Sequence, residues 1–271
     1  MALQLCVLAS GSSANCTLIA NESTRLLIDA GLSLRETVAR LATLDVAAES
    51  LTAVCVTHEH ADHQTSLGAL QRKFGVGLYA NAPTVEALER KTRLRDLDWN
   101  IFTTGQPFTI GDLSVLAFSV PHDSYEPVGF VVSDGQARIG VVTDMGLPTE
   151  SIRQRLKNCD ALVLECNHDE ELLHASSRPW SLKQRIAGRQ GHLSNRQAAD
   201  LIADVAGTRL QTVLLAHLSQ DCNRPELALA TCRKRLASAQ LDRVTLVVTS
   251  AGMSDPVVVR GPGADAAAGL I

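Results

Sequence analysis

The sequence predicts an α/β sandwich, and three observations predict it. Short β-branched or apolar runs come first in hairpin-like clusters, each bounded by Gly, Ser, Asn or a charge. Later runs of the same kind alternate with segments of helical period. No Gly-x-Gly-x-x-Gly follows a strand, which argues against a doubly wound parallel sheet. With 45% hydrophobic and 20% charged residues, the 271-residue chain can bury a sizeable core. Its length suits one domain, residues 1–260, with a flexible tail over 261–271 where Gly-Pro-Gly-Ala-Asp-Ala-Ala-Ala-Gly begins.

Strands are expected at Leu3 to Ala9, Cys16 to Ala20, Arg25 to Asp29 and Ala53 to Thr57. More follow at Leu113 to Val120, Val128 to Ser133, Ala137 to Thr143, Ala161 to Glu165, Thr212 to Ala216 and Val244 to Thr249. Helical period marks Ser33 to Leu44, Gln64 to Phe74, Thr84 to Arg95, Thr149 to Leu156, Ser194 to Ala206 and Pro225 to Ala239. Ser33-Leu34-Arg35-Glu36 and Ser194-Asn195-Arg196-Gln197 have the form of capping boxes, in which a hydroxyl and an acid or amide satisfy the first free amides.

A net charge of −4 excludes a generally basic surface that grips polyanions everywhere, so nucleic-acid contacts must be local. Seven cysteines without a Cys-x-x-Cys pair indicate neither a disulfide framework nor a thiolate zinc site, and they suit the reducing cytoplasm. The first nine residues lack a basic region and a long apolar stretch, so a strand is expected there rather than a signal peptide or membrane span.

The strongest signal is Thr57-His58-Glu59-His60-Ala61-Asp62-His63, directly after an expected strand. Four candidate donors fall within six positions, and imidazole with carboxylate suits zinc, manganese or iron(II). His58 and His60 can share one metal, while Asp62 and His63 face a second. Further donors stand where later strands stop: His122, Asp144 and His217. Side chains converge on a ligand at the carboxyl ends of strands in α/β folds, so these placements are mutually consistent.

This pattern resembles the metallo-β-lactamase superfamily, whose signature is His-x-His-x-Asp-His followed by a His, an Asp and a His. The resemblance implies a four-layer αββα sandwich of two mixed sheets flanked by helices, with two divalent ions (Zn, Mn or Fe) as cofactors. It implies His58, His60 and His122 on one ion, Asp62, His63 and His217 on the other, and Asp144 bridging. It also implies a supporting role behind the metals for Asp29. Two such ions generate hydroxide near neutral pH and need no protein nucleophile. Asp62 could also orient that hydroxide or accept its proton.

Gly191-His192-Leu193-Ser194-Asn195 opens a capped helix, where amides and dipole favour an anion. It is similar to the Gly-His-Ser/Thr motif of phosphodiesterase branches, which implies that His192 contacts the scissile phosphate or protonates the leaving oxygen. Ser194, with Ser12 and Asn15 of the Ser10–Asn15 loop, is a candidate phosphate contact. Residues 178 to 209 carry six basic residues against two carboxylates, and Lys183 and Arg185 are the candidate nucleic-acid contacts. Aromatics are only 3% of the chain, and Trp180 is expected in the core.

Four stretches, beginning at Leu8, Leu164, Trp180 and Gly191, resemble the bacterial YycJ/WalJ branch of the superfamily. That resemblance implies a cytoplasmic exonuclease acting 5′ to 3′ on DNA and linked to DNA repair, with His168 close to the site. RNA is the second polymer considered, no membrane partner is expected, and Cys166 and Cys222 depart from the branch, where Ala and Asn are expected. A small-molecule or cyclic phosphodiesterase is the nearest enzymatic alternative, ahead of a thioesterase or lactonase. The alternative of a different class is a metal-binding protein without turnover.

Overall fold

The computed structural model describes residues 2–91, 94–249 and 252–262, and these build two seven-stranded sheets. In the first, β1 (Leu3–Ala9), β2 (Cys16–Ala20) and β3 (Arg25–Ile28) run antiparallel. From β3 the sheet turns parallel through β4 (Ala53–Cys55), β5 (Gly77–Ala80) and β6 (Trp99–Ile101). The second sheet repeats this plan. β7 (Pro107–Ile110), β8 (Leu113–Ser119), β9 (Val128–Ser133) and β10 (Arg138–Val142) are antiparallel. β11 (Ala161–Glu165), β12 (Thr212–Ala216) and β13 (Thr245–Val248) then continue β10 in parallel. β14 (Val257–Val259) returns to flank β1.

Alternation along the strands explains the layers. Leu3, Leu5 and Val7 face a shared core with Val115, Phe130 and Val141 of the other sheet. The intervening Cys6 and Leu8 face outward onto helices. A strand buried on both faces reads as a continuous apolar run, which is why β1 and β11 look the way they do. Helices α1 (Leu34–Ala42), α3 (Leu67–Phe74) and α4 (Ala82–Lys91) cover the first sheet through Leu41, Leu70 and Leu88. α5 (Glu150–Leu156), α8 (Asn195–Val205) and α9 (Pro225–Ser238) cover the second through Ile152, Ile202 and Leu236. The result is the expected α/β/β/α sandwich.

Several boundaries shift. The expected helix from Gln64 divides into α2 (Ala61–Gln64) and α3, because Asp62 and His63 themselves lie in a short first turn. β5, β6, β7 and β14 have only three or four residues each, too short for a clear period. Two short helices, α6 (Glu170–Ala175) and α7 (Trp180–Ile186), stand between β11 and α8 where no helix is expected. The helix expected to reach Arg95 crosses residues 92 and 93, outside the described residues. Gly261 is buried against Gln136, and the rest of the expected tail from 263 lies outside the described residues. Only Ser194 forms the full reciprocal capping box, with Gln197; at Ser33 the hydroxyl accepts from the Glu36 amide.

Phe130 is fully buried between the sheets, where its ring meets Phe102 edge-on at 5.8 Å. Phe130→Ala is expected to cost about 3–5 kcal/mol, transfer and cavity terms together. Urea unfolding of the two proteins checks it.

Candidate metal centre

The parallel halves of the two sheets bring their carboxyl ends to one edge. The segment after β4 carries His58, His60, Asp62 and His63, while His122 follows β8, Asp144 follows β10 and His217 follows β12. Three overlapping groups result, the donor atoms within each lying within 4.8 Å of one another: His58, His60 and His122; His58, His63 and Asp144; and Asp144, Glu165, His192 and His217. Asp62 joins them, its Oδ2 3.4 Å from His63 Nε2, and Asp144 Oδ2 lies 3.3 Å from the same nitrogen.

Backbone bonds fix the segment that carries the motif. The amide of Asn15 donates to the Asp62 carbonyl, the amide of Ala30 to that of His63, and the amide of Gly31 to that of Asn15. Gly31 is required by this close approach, since a Cβ there would stand 1.7 Å from the Asp62 carbonyl oxygen. Asp29 and His217 hold left-handed backbone, with φ of 62° and 55°. Non-glycine residues seldom adopt that conformation, and it clusters at functional sites.

The ring tautomers follow from the partners. His122 Nδ1 donates to the Gly191 carbonyl at 3.1 Å and His217 Nδ1 to the Thr143 carbonyl at 2.8 Å. Each Nδ1 therefore carries a proton, and the buried His122 Nε2, without a hydrogen-bond partner, presents its lone pair. His63 Nδ1 lies 2.8 Å from Asp29 Oδ2, while Asp29 also accepts from the Thr57 amide and hydroxyl, both at 2.8 Å.

Electrostatics follow from burial and crowding. Burial opposes ionisation of Asp144, but the imidazoles of His217, His63, His58 and His122 hold its carboxyl well below the usual carboxylate range. Burial likewise disfavours a charged His217, yet Asp144 and Glu165 push it up to about 9. His58, desolvated and beside His63, is pulled well below the usual imidazole range. The buried His58 Nε2, His122 Nε2 and Asp144 Oδ2 have no hydrogen-bond partner. An orphaned buried polar atom costs about 1–3 kcal/mol. Lone pairs left bare on imidazole and carboxylate, aimed together, fit divalent cations, so the residues present pass that chemical test. The donor set is that of a binuclear metallohydrolase.

Other expected residues fall in varied places. Ser12, Arg185 and His192 line a cleft of about 160 Å³ that also includes Arg178 and Ser219. Asn15 is buried, its Nδ2 donating to Asp62 Oδ2 and to the Gly11 carbonyl, so it braces the motif instead of facing a phosphate. Ser194 is also buried; its hydroxyl donates to Glu170 and accepts from the Gln197 amide, so it serves the helix cap. Lys183 lies outside the cleft, its Nζ donating to the His174 carbonyl. His168 is buried and lines a separate cavity, and Trp180, expected in the core, is 63% exposed.

Glu165 is the residue the sequence reading missed. Fully buried, it accepts from the Met145 and Leu193 amides and lies 2.6 Å from His192 Nδ1 and 3.1 Å from His217 Nδ1. Burial opposes its charge, but His192 and His217 hold it below the usual carboxylate range. In the sequence it is a carboxylate ending an otherwise apolar strand, and only the structure sets that strand between those that lead to Asp144 and His217.

Asp29→Asn keeps the shape but loses the acceptor for the His63 N–H. Metal affinity is expected to fall about 10–100-fold, as on loss of a partner behind a ligand. Competition with a chelating indicator measures it, with circular dichroism confirming the fold.

Comparison with known proteins accords with this geometry. Residues 24–217 match the β-lactamase superfamily domain. The chain is 37% identical over 238 residues to the exodeoxyribonuclease WalJ of Streptococcus pneumoniae, covering 87% of this chain and 88% of that one. It is 38% identical over 229 residues to the exodeoxyribonuclease YycJ of Bacillus anthracis, covering 84% and 87%. The metallo-β-lactamase fold protein YhfI of Bacillus subtilis superposes with a TM-score of 0.71 at 19% identity, over 95% of this chain and 100% of that one. With its two mixed sheets and its histidine-rich edge, the chain belongs to the metallo-β-lactamase superfamily.

Proposed function

We propose that the chain is a two-metal phosphodiester hydrolase that removes nucleotides from DNA in the 5′ to 3′ direction, within DNA repair. The observation that carries the reading is the small polar cleft beside the donors, where Arg178, Arg185, Ser12 and His192 converge around Asp123. That lining suits a phosphate, and relatives at 37–38% identity bear the name exodeoxyribonuclease. The 5′ to 3′ direction and the repair role are carried by resemblance to that branch. The unit of action is one domain, residues 1–260, in keeping with a core that the two sheets share. A cytoplasmic setting accords with seven free, buried cysteines, and no helix among the described residues is long and apolar enough to cross a membrane.

His58, His60 and His122 would hold one ion, and Asp62, His63 and His217 the other, with Asp144 between them. Zinc, manganese or iron held there would supply activated water at neutral pH and polarise the phosphoryl group. His192 acts on the leaving side. Its Nδ1 is taken by Glu165, which turns the opposite nitrogen toward the cleft and favours the protonated ring. A proton donated from that nitrogen to the leaving oxygen completes bond cleavage. Arg185 pairs with Asp123 at an exposed site. Such a pair is worth only about 0–1 kcal/mol, so an incoming phosphate displaces the carboxylate readily. Asp62, held by Asn15, would be a ligand and would also orient the water to be activated.

Wild type and Asp144→Ala, each with Mn²⁺, are compared on 5′-phosphorylated duplex DNA labelled at either end. Progressive loss from the 5′ end that disappears in the variant is the expected outcome. Intact DNA together with turnover of a small phosphodiester would reassign the enzyme to small substrates, and silence on every ester would leave metal binding alone.

His192→Ala separates proton donation from binding. Its rate on DNA is expected to fall about 10²–10⁴-fold, the range for loss of a general acid. Bis-p-nitrophenyl phosphate, whose leaving group needs no proton, is expected to lose far less. Equal losses on both substrates would remove His192 from that role.

A further inference from the structure

α7 has two working faces. Leu182, Arg185 and Ile186 line the catalytic cleft, whereas Trp180, Lys183 and Gln184 line a second cavity of about 210 Å³ with His168 and His174. The spacing of i, i+3 and i+4 on each side puts the two sets on different faces of one helix. Lys183 Nζ donates to the His174 carbonyl, tying α7 to α6 across the second cavity.

Three features of that cavity point to its ligand. One of only two tryptophans in the chain stands here 63% exposed, its ring edge-on to His174 at 6.5 Å. His168 is buried, and its Nδ1 has no hydrogen-bond partner. Lys183 lines the cavity within a run, residues 178 to 191, that also carries Arg178, Arg185 and Arg189, while Glu170 on the cavity wall pairs with Arg196. An exposed indole offers a stacking face, an orphaned imidazole nitrogen offers a polar contact, and clustered cations follow a phosphate backbone. The volume is below the ~300–1,000 Å³ of pockets that take a whole drug-sized ligand, so it suits a single ring system.

We propose that this cavity is a nucleobase subsite: one base of a single DNA strand stacks on Trp180, His168 meets its polar edge, and the backbone passes Lys183 toward Arg185 and His192. The inference rests on the exonuclease reading and adds to it a contact outside the metal centre.

The test uses the metal-loaded enzyme with Trp99→Phe, which leaves Trp180 as the sole indole. Its fluorescence is titrated with phosphorothioate oligothymidylate and with the same strand made abasic. Quenching by the first and much weaker quenching by the second is the expected result. In steady-state assays Trp180→Ala is expected to raise KM for single-stranded DNA about 5- to 150-fold, the span of base stacking on an aromatic ring. kcat and the hydrolysis of bis-p-nitrophenyl phosphate are expected to stay unchanged, and Trp180→Phe to recover most of the KM. Absence of quenching, or equal quenching by the abasic strand, overturns the subsite, as does an equal loss on the small ester. The titration decides the subsite whether or not the wild type degrades DNA, so failure of the exonuclease reading shows separately, in the end-labelled assay.

Discussion

The structure depends on burying a cluster of imidazoles and carboxylates without neutralising them internally. His58 Nε2, His122 Nε2 and Asp144 Oδ2 are sealed from water with no hydrogen-bond partner. Such a cluster is tolerated only when the atoms behind it are fully satisfied. Each sheet supplies one buried carboxylate for that purpose. Asp29, following β3, accepts from Thr57 and His63; Glu165, ending β11, accepts from Met145 and Leu193 and faces His192 and His217. The two acids stand behind the donors from opposite sheets, so the centre is braced by both halves of the sandwich.

Topology makes this bracing possible. Parallel pairing in β3–β6 and again in β10–β13 aligns carboxyl ends, where the chain must turn sharply to leave the sheet. Asp29 and His217 make their turns in left-handed backbone, a conformation costing of order 1–3 kcal/mol for a non-glycine residue. Surrounding bonds hold that strain: the Asp29 amide donates to Cys55, and the His217 amide donates to the Ser10 hydroxyl. Asn167 Nδ2 binds the His217 carbonyl, and Asn223 Nδ2 binds the carbonyls of Cys166 and Asn167. The Ser10 and Asn15 loop, expected from the sequence to contact phosphate, is thereby built into the wall of the centre.

How much of this could be read beforehand follows from range. The His58–His63 segment is local, and His122, Asp144 and His217 each end a run of clear period, so their convergence was legible. Glu165 has the same position, but a lone Glu at a strand end signals nothing until β10 and β12 are known to flank it. Ser194 carried a capping signal as well as an anion-site signal, and the cap claimed its hydroxyl. Strands such as β6 are set by neighbours, with only three residues and no burial pattern of their own. Trp180 misled because apolar bulk predicts burial, whereas α7 buries none of its residues.

That last property divides the molecule by physical task. The two sheets and α8 hold the large apolar clusters, so stability and the position of the metal donors come from the same packed unit. α6 and α7 interrupt the passage from β11 to α8, and α7 buries none of its residues. A helix that contributes little burial can change its sequence with little cost to the core. The same helix contributes Arg185 to the catalytic cleft and Trp180 to the neighbouring cavity. On the proposed reading, recognition therefore rests on an element that folding constrains little, while the chemistry rests on the packed edge of the sandwich. On that reading, such a scaffold can change the polymer it grips without disturbing the metal donors.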